Sequence, residues 1–189
     1  MVDARIVQTT KALHAAIVEL ASATPVSSIT VADVTRAAGI NRATFYSHAT
    51  SPGALLVDVL TPELDQIRAD DLALREQGGL DEAAITRKGM ERVVDHVVKY
   101  RDIYRLALPD ALDASTHRVL AHHFEVSSLG HLERSRASAK RPGELSEPLA
   151  AGFVAHGLVG VIENWLTGKR ASRKALVDNI MLMFPTWWD

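Results

Sequence analysis

The chain has 189 residues, enough to bury a core without disulfides or a structural metal, and long enough for one domain or a small module fused to a larger one. It has no cysteine, which excludes a disulfide scaffold, a zinc–cysteine site and a thiol nucleophile. Charged residues make up 23% and the net charge is -2, which fits neither a disordered polyelectrolyte nor an overtly nucleic-acid-seeking chain. With no run of ~18 apolar residues and no apolar stretch after Met1, the expectation is a cytoplasmic protein with no membrane segment.

In chain order, Ile6, Thr10, Leu13, Ile17 and Leu20 recur at spacings of three and four, predicting a helix over about 3–22 that Pro25 ends. Thr30 and Asp33 form a capping box that opens a short helix, and Gly39 closes it at a position suited to positive φ. Asn41 caps a second short helix, about 42–48, and Ser51-Pro52 opens a third. Thr61-Pro62 either kinks that helix or starts another one, running to about 76. Gly78-Gly79 breaks the pattern, and Asp81 caps a helix over about 81–100. Pro109 separates a short stretch, 101–108, from a helix over about 113–137, and 140–143 is a loop. Residues 145–166 are apolar nearly all the way round, which a helix tolerates only when buried on all sides or against a partner. A final helix covers about 172–184. Nothing reads as a strand, so the fold class is all-α, with nine or ten helices.

Residues 30–48 have the dimensions of a helix-turn-helix, whose second helix enters the DNA major groove with its N-terminal residues on base edges. The residue types suit that role. Arg42 can contact guanine bidentately, Thr44 and Ser47 offer short hydroxyls, and Tyr46 and His48 can reach phosphate oxygens. Ile40 and Phe45 point inward. By themselves, two short helices joined through a glycine occur in many helical proteins.

The run Thr30-Val31-Ala32-Asp33-Val34, followed by Ala37-Ala38-Gly39-Ile40-Asn41-Arg42-Ala43-Thr44-Phe45-Tyr46-Ser47-His48, closely resembles the N-terminal domain of the tetracycline-repressor (TetR) family. The resemblance covers about residues 5–60; the rest matches in general plan only. It implies a three-helix helix-turn-helix domain over 1–50 and a helical ligand-binding and dimerisation domain over 51–189. It also implies a homodimeric, ligand-responsive regulator that binds a double-stranded DNA operator, read here as a repressor. Carried over, Arg42 and Ala43 stand where bases are contacted, and Thr30, Thr44, Tyr46 and His48 where phosphates are held. The sequence departs from the family at Ala49, where a bulky residue is usual, and at Pro52, where a phosphate-binding Lys is usual. The first fifty residues carry four cations (Arg5, Lys11, Arg36, Arg42) against three anions (Asp3, Glu19, Asp33), so few counterions are released on binding. That motivates an alternative: a TetR-like scaffold acting mainly through a protein partner.

The candidate effector pocket comprises Met90, Val94, Val97, Tyr104, His123, Phe153 and His156. No Lys or Arg is expected to face it, so the effector is expected to be small and apolar or weakly polar. The candidate dimer interface comprises Ala151, Ala155, Leu158, Gly160, Ile162, Ile180 and Phe184, on two helices too apolar for one subunit to cover. The eight histidines lack metal-ligand spacing, and no nucleophile elbow or phosphate loop is present, so neither a metal, a cofactor nor an enzymatic activity is expected. Arg134, Arg136, Lys140 and Arg141 read as a solvated connection, and Phe184, Trp187 and Trp188 as packing against the chain's own core or a dimer neighbour.

Overall fold

The computed structural model describes residues 4–112, 114–137, 143–168, 171–185 and 188; the expectations for Asp3, Asp113, residues 140–142 and Trp187 lie outside it. Among the described residues there are nine α-helices and no strand. They are α1 (Ala4–Ala23), α2 (Val31–Ala38), α3 (Arg42–Tyr46), α4 (Pro52–Gln77), α5 (Glu82–Lys99), α6 (Arg101–Ala107), α7 (Ser115–Arg134), α8 (Glu147–Thr167) and α9 (Arg173–Met183). Two 3₁₀ turns, Val26–Ser28 and Ser135–Ala137, complete the list. The Thr61-Pro62 alternative resolves to one helix: Pro62 lies inside α4, where its missing N–H leaves the Asp58 carbonyl without the usual helical donor.

The packing groups residues differently from a boundary at residue 50. One compact unit takes residues 1–62 together with 100–119, and the other takes 63–99 together with 120–189. In the first unit, α1 packs against α2 and α6. The apolar stripe of α1 buries Leu13, Ala16, Ile17 and Ala21, α2 buries Val34, and α3 buries Phe45 completely. Tyr104 of α6 is fully buried in the same unit. The Ser27 hydroxyl donates to the Asp110 carboxylate at 2.5 Å, joining the first 3₁₀ turn to the segment after α6.

In the second unit, α9 packs against α5 and α8. α5 buries Ile85, Met90, Val93, Val94 and Val97, and α8 buries Ala151, Ala155, Leu158, Val159 and Ile162. Ion pairs Arg87–Asp178 (2.7 Å) and Arg173–Asp95 (2.8 Å) cross between α5 and α9, each partly exposed and so worth little. The Trp188 ring is buried and stacks on His131 at 4.4 Å, so this part of the aromatic C-terminal end packs into the chain's own core.

α8 is long and apolar enough, at a mean hydropathy of 1.4, to meet the length and composition of a membrane span. One weakly apolar helix of this kind is not enough for a membrane span, and the expectation of no membrane segment is unchanged. Its buried face is committed to the second unit's core, the position of a core helix in a helical bundle.

Candidate nucleic-acid interface and effector cavity

The helix-turn-helix is built by local chemistry. The Thr30 hydroxyl accepts from the Asp33 amide at 3.2 Å while the Asp33 carboxylate accepts from the Thr30 amide at 3.1 Å, closing the capping box. The Thr30 hydroxyl, which also donates to that carboxylate, and then the Thr30 amide hold the Asp33 carboxyl below its ordinary pKa. Gly39 ends α2 at φ 66°, the left-handed conformation that an L side chain disfavours, and a Cβ placed there would meet nothing within 4 Å. Asn41 then caps α3 by accepting from the Thr44 amide at 2.8 Å. α3 ends at Tyr46, two residues short of the expected His48.

The candidate recognition surface is one short helix, α3. Phe45 is fully buried and contacts the Tyr46 ring edge-on at 5.5 Å, while Tyr46 itself is 60% exposed. Arg42 and Ala43 are exposed at the N-terminal end, and Arg42 makes no ion pair or hydrogen bond among the described residues. Thr44 and His48 are half-buried. The Thr10 hydroxyl donates to the Ile6 carbonyl at 2.9 Å, so His48 Nδ1, 3.3 Å from that oxygen, is the donor in their contact. The Ser47 hydroxyl donates to the Thr44 carbonyl at 2.7 Å, and the Thr30 hydroxyl donates to Asp33 at 2.6 Å. Of the hydroxyls expected to face DNA, those of Thr30 and Ser47 are therefore already used inside the motif. Arg42, Ala43 and Tyr46 are the members of the set presented outward with no such commitment.

The second unit holds a partly open cavity of about 70 Å³ between α4, α5 and α7, lined also by Leu158, Phe184 and Trp188. Beside it lies a wider cleft of about 410 Å³ between α4 and α7, sharing Arg68, Asp71 and Ser127 with the cavity. Of the seven pocket candidates, Met90 and His123 line this cavity and the other five lie elsewhere. Tyr104 belongs to the first unit; Val97 is buried in the core; Val94 borders a separate groove with Arg87 and Asp95. Phe153 is 81% exposed and His156 is exposed. The expectation that no cation faces the cavity is also corrected, because Arg68 and Arg75 line it. Arg75, with a side chain only 6% exposed, bonds Asp71 at 3.1 Å and pairs with Glu82, and Arg68 bonds Asp65 at 2.6 Å. The Asp65–Arg68 and Asp71–Arg75 pairs have the i,i+3 and i,i+4 spacing of one helix face, but which way that face turns is set by packing.

His123 is nearly fully buried. Burial, with the charge of Arg68 and then of His96, pushes its pKa down to about 4. The structure places Ala151, Ala155, Leu158, Ile162 and Ile180, expected at a dimer interface, in the chain's own core, and Gly160 and Phe184 half-buried. The large apolar side chains that α8 and α9 expose are Leu149, Phe153, Leu182 and Met183. On an all-apolar helix periodicity cannot tell the two faces apart, and the burial pattern does.

No protein-family model matches the chain, and no curated protein does. Solved structures match it over nearly its whole length. A TetR transcriptional regulator from Streptococcus agalactiae aligns at a TM-score of 0.69 with 20% identity, covering 96% of each chain. The fatty acid degradation regulator FadR from Bacillus halodurans aligns at 0.69 with 15% identity, covering 93% of each chain. FadR from Bacillus subtilis, solved in complex with stearoyl-CoA, aligns at 0.66 with 14% identity, covering 94% of this chain and 96% of that one. The chain has a TetR-like fold.

Proposed function

We propose that this chain, folded like the TetR-family regulators, is a homodimeric, ligand-responsive transcriptional regulator that represses by occupying a DNA operator. The observation that carries the reading is the helix-turn-helix surface. An αL glycine and an Asn cap aim a short helix whose exposed residues are Arg42, Ala43 and Tyr46, over a fully buried Phe45. Arg42 serves as the base-reading donor and Tyr46 as a phosphate contact. Thr30, Thr44, Ser47 and His48 support the helix from inside the motif, and Thr30 and Ser47 contact phosphate only after exchanging their internal hydrogen bonds. On this reading residues 1–50 are the DNA-binding part and 51–189 the effector and dimerisation part.

The dimer is supported by Leu149 and Phe153, four residues apart on one face of α8, and by Leu182 and Met183 of α9, all more than half exposed on the single chain. Two-fold pairing would place two recognition helices in successive major grooves, one DNA turn of roughly 34 Å apart. The relative from Bacillus subtilis was solved with stearoyl-CoA. The cavity of about 70 Å³ and the adjoining cleft of about 410 Å³ together set the size of effector that this unit takes.

A gel-shift titration with DNA from upstream of the chain's own gene tests the proposal. Saturable, sequence-specific, salt-dependent binding is expected; equal binding to every sequence overturns it. The near balance of charge in the first fifty residues favours the second reading, a scaffold acting through a protein partner, if binding is flat.

A further inference from the structure

We propose that the cavity between α4, α5 and α7 takes an uncharged molecule with a hydroxyl on a small ring, a phenol in chemical class, whose O–H donates to Nδ1 of His123. The inference rests on reading the second unit as the effector domain and names what that domain holds.

Four observations converge on it. His123 is 5% exposed, lines the cavity, and its Nδ1 has no hydrogen-bond partner among the described residues. A buried polar atom left in that state costs roughly 1–3 kcal/mol, so a donor arriving there is strongly favoured. The Leu64 main-chain carbonyl lies against the ring and favours an N–H directed at it, which leaves Nδ1 as the lone-pair acceptor of a neutral imidazole. Burial and the neighbouring Arg68 keep the ring neutral down to about pH 4, so it stays an acceptor throughout the physiological range.

The ionic groups around the cavity are already matched. Arg75 is held by Asp71 and Glu82, and Arg68 by Asp65, so a carboxylate or ammonium ligand finds no unpaired opposite charge inside. Arg134, which makes no ion pair among the described residues, lines the adjoining cleft and not the cavity, and partial burial holds its guanidinium below its ordinary pKa. The remaining wall is apolar and aromatic, with Met90, Phe124, Phe184 and Trp188. The cavity, about 70 Å³ and open on one side, takes the hydroxyl-bearing edge of a ring, with the body of the molecule extending into the 410 Å³ cleft.

The test is calorimetric titration of the purified protein with phenol, toluene and benzoate, together with ¹⁵N NMR of the histidine side chains. Phenol is expected to bind at least about tenfold tighter than the other two, because toluene leaves Nδ1 unpaired and benzoate brings an unmatched charge. The Nδ1 resonance of His123 is expected to move with phenol alone. His123→Leu is expected to equalise phenol and toluene; if that variant does not fold, the NMR shift in the parent decides. Equal binding of phenol and toluene, tighter binding of benzoate, or an unmoved Nδ1 resonance overturns the inference. Release of operator DNA is measured separately. Specific DNA binding without phenol binding sinks the ligand assignment alone, and phenol binding without specific DNA binding sinks the regulator reading alone.

Discussion

At the scale of single residues, exposure and hydrogen-bond commitment separate side chains that look alike in sequence. Thr30, Ser47, Arg42 and Tyr46 are all plausible DNA contacts by type, yet both hydroxyls are engaged within the motif while Arg42 and Tyr46 are not. Arg42→Ala is therefore expected to lose discrimination between operator and scrambled DNA by ~1–3 kcal/mol. Tyr46→Ala is expected to weaken both by the same factor, since a phosphate contact carries no sequence information. Fluorescence anisotropy on the two DNAs distinguishes these outcomes; equal effects of both changes on both DNAs remove the role given to Arg42. In the second unit the decisive residue is His123, faced by Asp65 and Arg68 of α4 and by His96 of α5. The unfolded imidazole takes up a proton near pH 6.5, the folded one only near pH 4. Between those values the unfolded chain binds more protons. Stability is thus fully present above about pH 6.5 and falls as the pH drops towards 4, by on the order of 3 kcal/mol from this group. Buried His96, its pKa also lowered, adds in the same direction. Urea midpoints measured from pH 7 to 4 should fall steeply in the parent and more gently in His123→Leu.

At the scale of elements, short-range chemistry decides most boundaries. The capping box, the Asn41 and Ser172 caps and the glycine that ends α2 are each legible from a few adjacent residues, because each satisfies or frees main-chain groups within one turn. Gly39 is the clearest case. No neighbour lies within 4 Å of where its Cβ would be, so a substitution costs only backbone conformation and creates no clash. Gly39→Val is expected to leave a folded protein destabilised by ~1–2 kcal/mol, with α3 misaligned and operator affinity lost well beyond that of Gly39→Asn. Denaturant unfolding and anisotropy on the same samples check this; parental DNA binding by the valine variant contradicts the role of the turn. Pro62 shows the limit of local reasoning. Its ring forbids one hydrogen bond, but whether the helix ends or continues depends on packing along its length, and α4 continues.

At the scale of the whole molecule, the question is which side of α8 belongs to the chain itself. Ala155 is 1% exposed within one chain, whereas Phe153 is 81% exposed. The sequence reading set Ala155 at the dimer interface and Phe153 in the effector pocket; the burial pattern leaves only Phe153 free to meet a neighbour. Phe153→Glu is expected to keep the fold and convert a dimer, of twice the 20.6 kDa chain mass, into a monomer with lost operator binding. Ala155→Glu is expected to unfold the second unit, because it buries a charge without a partner. Light scattering with circular dichroism separates the two; a parent that is monomeric at micromolar concentration removes the two-half-site mechanism.

By itself, the sequence determined the all-helical class, nearly every helix and the helix-turn-helix with its caps. The information there is local: periodicity at 3.6 residues, and turn chemistry within four or five. Tertiary structure alone decided three things. It placed Tyr104 in the first unit, by packing α6 against α1 across some eighty residues of chain. It put Arg68 and Arg75 on the cavity wall, by meeting them with Asp65, Asp71 and Glu82. It divided α8 into a core face and an exposed face, although both are apolar. For Tyr104 and α8 the deciding contacts join residues far apart in sequence, where no rule of periodicity or capping says which side chains meet; for Arg68 and Arg75 the i,i+3 and i,i+4 carboxylates are local, and only the packing of α4 against α5 and α7 turns that face of the helix to the cavity.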